Sequence, residues 1–384
     1  MGLSQPFASL DARWRRLFLA AAFSLLAACS VPEAPQLFSA PHPNLYLNER
    51  EISDLRMRLA AREAPWRVAY EALIVRADAA LTLRPGSVTH NGGGRVWRTQ
   101  QPYLSDGVFN PNADRQDYIL GDRIADAILN LALAYRLTDE TSYADKAVEL
   151  LEVWFIHTAT SLRAGTGAGN EIEIWITMPS AFYGIDLLWH YPGFPAADKA
   201  ALQRWAQVSA DRIRGLQRDN NWENWRLVYL MTLAHTAGDR RTMEYAIARW
   251  QSLLEFQIGD GNLLNKELDR TRSLDYSVFA LDAMAQGAEI ARHYGVDLYA
   301  YRNSRAQGLG DVFDAYVPYV LNPESWPYEQ ISAFDGIGNG MAVYELAYSR
   351  YGGKTSYRSV VDAYRRPLIE PRTMGPVTLT HGKL

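Results

Sequence analysis

Apolar residues recur three and four positions apart along almost the whole chain from Leu45 onward, the spacing that places them on one face of a helix. This pattern predicts amphipathic helices over residues 49–62, 65–83, 122–137, 142–155, 179–191, 196–218, 223–238, 240–258, 274–294, 298–320, 338–351 and 356–366. Breakers agree with several boundaries: Pro192-Gly193 closes one helix, Gly238-Asp239 separates two, and Gly352-Gly353 ends another. Residues 84–115 interrupt the pattern with Pro85, Gly86, Gly92-Gly93-Gly94, Pro102, Gly107 and Pro111. So long a connection inside a compact domain is usually functional, such as a lid. No β-hairpin, Gly-x-Gly-x-x-Gly turn or phosphate loop is expected. About a dozen helices joined alternately by short and long connections predict an all-α fold, an incomplete α/α toroid of antiparallel helices with loops lining a cleft. No shift in composition divides residues 45–384, so they are expected to form one domain.

The first residues do not follow the helical domain's pattern. Arg13, Arg15 and Arg16 precede an apolar run, Leu17 to Leu26, which is too short to span a bilayer. Leu26-Ala27-Ala28-Cys29 then resembles a bacterial lipobox, and Cys29 is the chain's only cysteine. The expectation is a signal peptide over residues 1–29 with lipidation at Cys29. Residues 30–44, rich in Pro, Ala and Ser, would be a tether. Ser30 in place of Asp favours the outer membrane, so the chain is expected to be exported and anchored in the cell envelope or periplasm. A single cysteine excludes an internal disulfide.

Composition narrows the function. A net charge of −4 over 384 residues, with both signs scattered, lacks the basic stripe of a nucleic-acid binder. The 11 Trp and 22 Tyr are accounted for singly by core packing. Together they also suit sugar binding, in which apolar pyranose faces stack on flat rings. No His-x-x-x-His and no Cys pair is present, so neither a metal nor another cofactor is expected, and Glu171 with Glu173 is a weak calcium pattern.

Two segments concentrate reactive side chains. Asp219 to Arg226 gathers Asn220, Asn221, Trp222, Glu223 and Trp225 at a helix start, where Asn and Asp also serve as ordinary caps. Glu267 to Ser277 contains Arg270, Arg272, Asp275 and Tyr276, and reads equally as a charged helix entry. A third segment, Gly165 to Trp175, is Gly-rich and then acidic, which would put Asn170 and Glu171 on the cleft wall. His157 ends a helix near the same loop. His190, His235 and His293 fall within helices and read as core or surface residues.

In order and spacing, these segments resemble the alginate-lyase family of polysaccharide lyases. That family carries an Asn-Asn-His segment and, about fifty residues later, a Glu-Leu…Arg…Tyr segment. Asn220-Asn221 and Glu267-Leu268…Arg270…Tyr276 occupy those places. Tyr143 to Ala147 with Trp154-Phe155, the lid residues Tyr103, Asp106-Gly107, Asn110-Pro111 and Asp114-Arg115, and Gly295 to Tyr299 extend the resemblance across residues 102–301. It implies an acidic, uronate-containing polysaccharide as substrate. It also implies that Asn221 neutralises the uronate carboxylate, Tyr276 moves the protons and Arg270 tunes Tyr276. Tyr103, Arg115, His157, Asn170, Glu171, Asn220, Trp222, Trp225 and Arg272 would contact the substrate.

The chemistry demands these residue types. Removing the C5 proton of a uronate places charge beside an existing anion, so the carboxylate must be neutralised and the developing charge stabilised. A tyrosine, whose pKa is ordinarily about 10, needs a nearby cation to act as a base. The chain departs from the family at Trp222, which stands where His is usual. Tyr276 must then perform both transfers, or another residue substitutes, or the protein binds glycan at the envelope without cleaving it. A glycoside hydrolase on the same toroid would instead need two carboxylates, drawn from Glu171, Glu223 and Asp275.

Overall fold

The computed structural model describes residues 41–88, 97, 102–157, 171–370, 372 and 374–383. The lipobox, the basic run before it and Asn170 lie outside the described residues, as does the glycine-rich stretch before Glu171. Residues from Phe38 to the end cluster as one compact unit.

The described helices are α1 (Glu49–Ala60), α2 (Trp66–Leu81), α3 (Gln116–Thr138), α4 (Thr141–Leu151), α5 (Glu171–Trp175), α6 (Met178–Leu187), α7 (Ala196–Arg214), α8 (Asn221–Ala237), α9 (Arg240–Gln257), α10 (Asn265–Leu268), α11 (Ser273–His293), α12 (Leu309–Leu321), α13 (Tyr344–Arg350), α14 (Thr355–Ala363) and α15 (Val377–His381). They form the expected all-α toroid. Helix α3 packs on α2, α4 and α6, while α8 packs on α6, α7, α9 and α11. The C-terminal α15 returns to α2, so the two ends of the ring meet. Gly238 takes a left-handed conformation (φ 69°) after α8, and α9 begins two residues later, so the pair runs antiparallel.

Inner and outer helices differ in composition for a physical reason. Every residue of α6 is buried, and so is every residue of α8 except Trp222. A helix surrounded by others must be apolar or internally paired all round. The outer α9 instead buries one stripe, including Met243, Ile247, Trp250 and Leu254, and solvates the rest.

Three expectations are corrected. The long connection contains a short antiparallel hairpin, β1 (Tyr103–Ser105) with β2 (Val108–Phe109). Its strands are too short to show the alternation that reveals a hairpin in sequence. Residues 298–308, expected as helix, are not helical, and α12 starts only at Leu309. There the Asn303 side chain bonds its own loop, accepting from the Arg305 and Gln307 amides and competing with helix formation. Helix α3 begins at Gln116 instead of 122 and admits the Trp97 indole at Gly121, where a Cβ would lie 2.3 Å from the ring.

The buried polar groups of α8 are internally paired. Glu223, fully buried, accepts from Arg226 Nε at 2.8 Å, from Arg249 Nε at 2.9 Å and from the Arg218 amide at 2.7 Å. Arg226 also donates to the Ile213 carbonyl, tying α8 to the end of α7. Glu223→Ala leaves the fully buried Arg226 without its counter-ion and should cost about 3–5 kcal/mol in chemical unfolding. A loss below about 1 kcal/mol would show that this network does not hold the ring.

Candidate active site

The start of α8 and the chain entering α11 meet at the hairpin, where they enclose a cavity of about 590 Å³. Asn220 caps α8, its side chain accepting from the Trp222 amide at 3.2 Å. This cap starts the helix so that Asn221 and Trp222 line the cavity in its first turn. From the other segment come Arg270 and Tyr276, and from the connection Tyr103 and Arg115.

Glu267 joins the two segments. It is buried, and its carboxyl accepts from both the Asn221 amide and Asn221 Nδ2, each at 2.7 Å. Arg270 Nη1 lies 3.5 Å from the carboxyl oxygen that Asn221 Nδ2 contacts. Asn221 therefore has one side-chain N–H committed and a second to offer a ligand. Burial pushes the Glu267 carboxyl up to about 7, outweighing the two bonds from Asn221 and the charge of Arg270.

The hairpin is latched onto the same segment. Asp106 accepts from Arg270 Nε at 2.9 Å and from the Thr271 amide at 2.9 Å, while Thr271 Oγ1 donates to the Asp106 carbonyl at 2.8 Å. Gly107 permits this approach: its φ is +67°, and a Cβ there would lie 2.4 Å from Thr271 Oγ1. The Arg270 guanidinium faces the Tyr276 ring, 4.2 Å from its centroid. It is the largest of the charges that favour a Tyr276 phenolate, yet burial dominates and holds the phenol well above its ordinary value. Arg270 moderates the cost of ionising Tyr276 without making the phenolate its resting state.

Arg115 is held by Glu173, with Nε 2.9 Å from the carboxylate, and lies over the Tyr118 ring at 4.1 Å. Trp222 is half-buried, its indole edge-to-face with Trp175 at 6.2 Å. Part of one indole face on a cavity wall suits a sugar ring.

Other expected contacts sit elsewhere. Trp225 is fully buried against Phe279, with ring centroids 4.9 Å apart. Arg272 is not in the cavity lining and pairs with Asp275, Nε to carboxylate 2.8 Å. His157 is exposed at the end of a π-helical turn (Glu152–His157) and does not line the cavity. Asn220 acts as a cap, and of Glu171 only the backbone, which opens α5, is described. Glu223 and Asp275, needed by the hydrolase alternative, are buried in ion pairs and do not line the cavity.

Sequence reasoning missed Tyr118, Glu173, Asn339 and Arg372, all of which line the cavity. Arg372 stacks over Phe279 at 5.0 Å and donates to the Gly338 carbonyl at 3.0 Å. It lies in an irregular Pro- and Gly-bearing stretch whose sequence carries no signal of its destination.

The raised Glu267 carboxyl has a consequence for stability. Between about pH 4.5 and 7 the folded state holds a proton that the unfolded state releases, so raising the pH through this window costs folding free energy. The stability of wild type relative to Glu267→Gln should fall on the order of 3 kcal/mol across it, at about 1.4 kcal/mol per pKa unit. Denaturant titrations of both proteins at pH 4.5 and 7.5 measure this. A constant difference would remove the buried-carboxyl assignment.

A family model described as "Alginate lyase" matches residues 75–326, more than half of the chain. The chain is 23% identical over 193 residues to an alginate lyase of Pseudomonas syringae pv. tomato, a match covering 48% of this chain and 51% of that one. It thus spans about half the length of the curated relatives it matches. Among solved structures, an alginate lyase from Bacteroides ovatus superimposes with a TM-score of 0.75 at 21% identity, covering 90% of this chain and all of that one. Alginate lyase A1-III from Sphingomonas species A1 gives 0.67 at 19% identity, covering 87% and 95%.

Proposed function

This chain belongs to the alginate lyase family, and from that premise we propose that it cleaves a uronate-containing polysaccharide by β-elimination. What carries this reading is the meeting of Asn221, Arg270 and Tyr276 in one cavity, from segments some fifty residues apart.

In the proposed reaction the C5–H bond breaks, its electron pair forms the C4=C5 bond, and the C4–O4 bond breaks. The reaction starts from ionised Tyr276, its phenolic proton first released to solvent; the phenolate takes the C5 proton and, as the phenol, returns it to O4, so one tyrosine closes the proton balance. Asn221 hydrogen-bonds the uronate carboxylate through its uncommitted N–H and stabilises the charge growing beside it. Tyr276 is the acid–base group. Arg270, fixed by Asp106, faces its ring throughout, so little reorganisation is needed when charge develops. Glu267, in its protonated form, adds no negative charge next to the uronate. Trp222 serves as a stacking surface for a neighbouring sugar, which leaves both transfers to Tyr276.

The test is formation of the unsaturated uronate, followed by ultraviolet absorbance over a panel of acidic polysaccharides. Hydrolysis or simple binding leaves no conjugated double bond. Tyr276→Phe removes one oxygen and keeps the ring, so it should fold normally and lose at least about 10²–10⁴ in turnover. Asn221→Ala should also lower kcat, and Trp222→His should raise KM. A folded Tyr276→Phe protein with wild-type elimination would overturn the mechanism, and a gain in kcat by Trp222→His would make Trp222 the occupant of a vacated base position.

We further propose, from Leu26-Ala27-Ala28-Cys29, that the protein is a lipid-anchored envelope protein, exported to the periplasmic side and sorted to the outer membrane. Cys29→Ala should release it from the membrane fraction. Unchanged fractionation with lipid still attached would reject the anchor.

A further inference from the structure

At the far end of α8, His42, Asp186 and His235 converge. His42 Nδ1 lies 2.5 Å from Asp186 Oδ1, His235 Nε2 lies 2.8 Å from the same oxygen, and the two ring nitrogens are 3.1 Å apart. Asp186 and His235 are buried, and the His42 side chain is only 11% exposed. His235 is fourteen residues along α8 from Asn221, about 21 Å at the helical rise, so this cluster is separate from the cavity.

We propose that His42, Asp186 and His235 form a structural site for a divalent transition cation of the zinc class, which fastens the segment before α1 to α6 and α8. Two imidazoles and one carboxylate are the donor set such ions favour. The three donor atoms form a triangle tight enough for an ion about 2.0–2.2 Å from each to sit just above its plane. The side away from the plane is then left for a further ligand such as water.

The surroundings are those of a ligand set. The second Asp186 oxygen is saturated by the amides of Asn44 at 2.8 Å and Leu45 at 2.7 Å, which aims the first at the two rings. His235 Nδ1 is 2.6 Å from the Tyr294 hydroxyl, which orients the ring and leaves Nε2 facing inward. The His42 ring stacks on Trp189 with centroids 4.2 Å apart. The two ring nitrogens, 3.1 Å apart, converge on the same Asp186 oxygen, an arrangement that either two N–H donors or one shared cation satisfies. A second cluster, Glu51, Glu289 and His293, differs in kind: Arg292 donates to both carboxylates and Arg350 to Glu289, so their charge is already met by protein.

The test uses the untagged full chain, stripped with chelator and titrated with Zn²⁺ alone. One equivalent should bind and raise Tm. Co²⁺ in its place should give the visible absorption of a low-symmetry nitrogen–oxygen site. Asp186→Asn also disturbs the Asn44 and Leu45 amides and risks unfolding, so His42→Ala at the rim is the decisive variant. It should fold and weaken Zn²⁺ binding by more than about 100-fold, exceeding the usual cost of losing an outer-shell partner. Elimination activity provides a separate readout and should persist in that variant. Absence of a stoichiometric ion with Tm indifferent to chelator would show a proton-shared His–Asp–His network and overturn the proposal. Unchanged Zn²⁺ affinity in folded His42→Ala would overturn it as well.

Discussion

The buried carboxyl of Glu267 is the contact on which the site depends. It takes two hydrogen bonds from Asn221 at the start of α8 and lies against Arg270 at the entry to α11. It thereby joins two residues that line the cavity from different segments. An unpaired buried carboxylate would be prohibitive, and this one is kept tolerable by its partners and by its upward shift toward neutrality. The distance between Asn221 and Tyr276 is thereby set by a group that itself performs no chemistry.

Around that link, each of three cavity-lining arginines is held by a partner. Arg270 is held by Asp106, Arg115 by Glu173, and Arg372 by a backbone carbonyl. Paired cations cannot swing toward solvent, so the field at the cavity is built in before any ligand arrives, which is the condition for electrostatic stabilisation of a transition state. The Asp106 pairing has a second effect. Because Asp106 sits at the tip of the hairpin, the same bond that orients Arg270 closes the hairpin over the cavity.

The ring itself supplies rigidity. Its inner helices, α6 and α8, are buried nearly all round, and α8 carries Asn221 at one end and His235 at the other. Fully buried helices tolerate polar groups only when these are matched, as with Glu223, Arg226 and Arg249. A matched network of this kind fixes the rotation of α8 about its axis, and so determines that Asn221 and Trp222 face the cavity while Trp225 faces the core.

Much of this was legible in the sequence, because helical periodicity and breaker residues are local signals. The all-helical class, most helix positions and the paired segments around Asn221 and Tyr276 follow from spacing alone or from a family pattern written in contiguous residues. The short hairpin and the late start of α12 were not legible, since strands of three and two residues carry no usable alternation and a side chain bonding its own loop overrides a helical pattern. Glu173, Asn339 and Arg372 join the cavity from positions remote in the chain, and His42 meets Asp186 across 144 residues and His235 across 193. Such meetings are products of ring closure, in which helices distant in sequence become neighbours. Residue type and spacing determined which chemistry was available, whereas packing of the inner helices decided which side chains share a space, because the direction a side chain faces is set by the burial of everything around it.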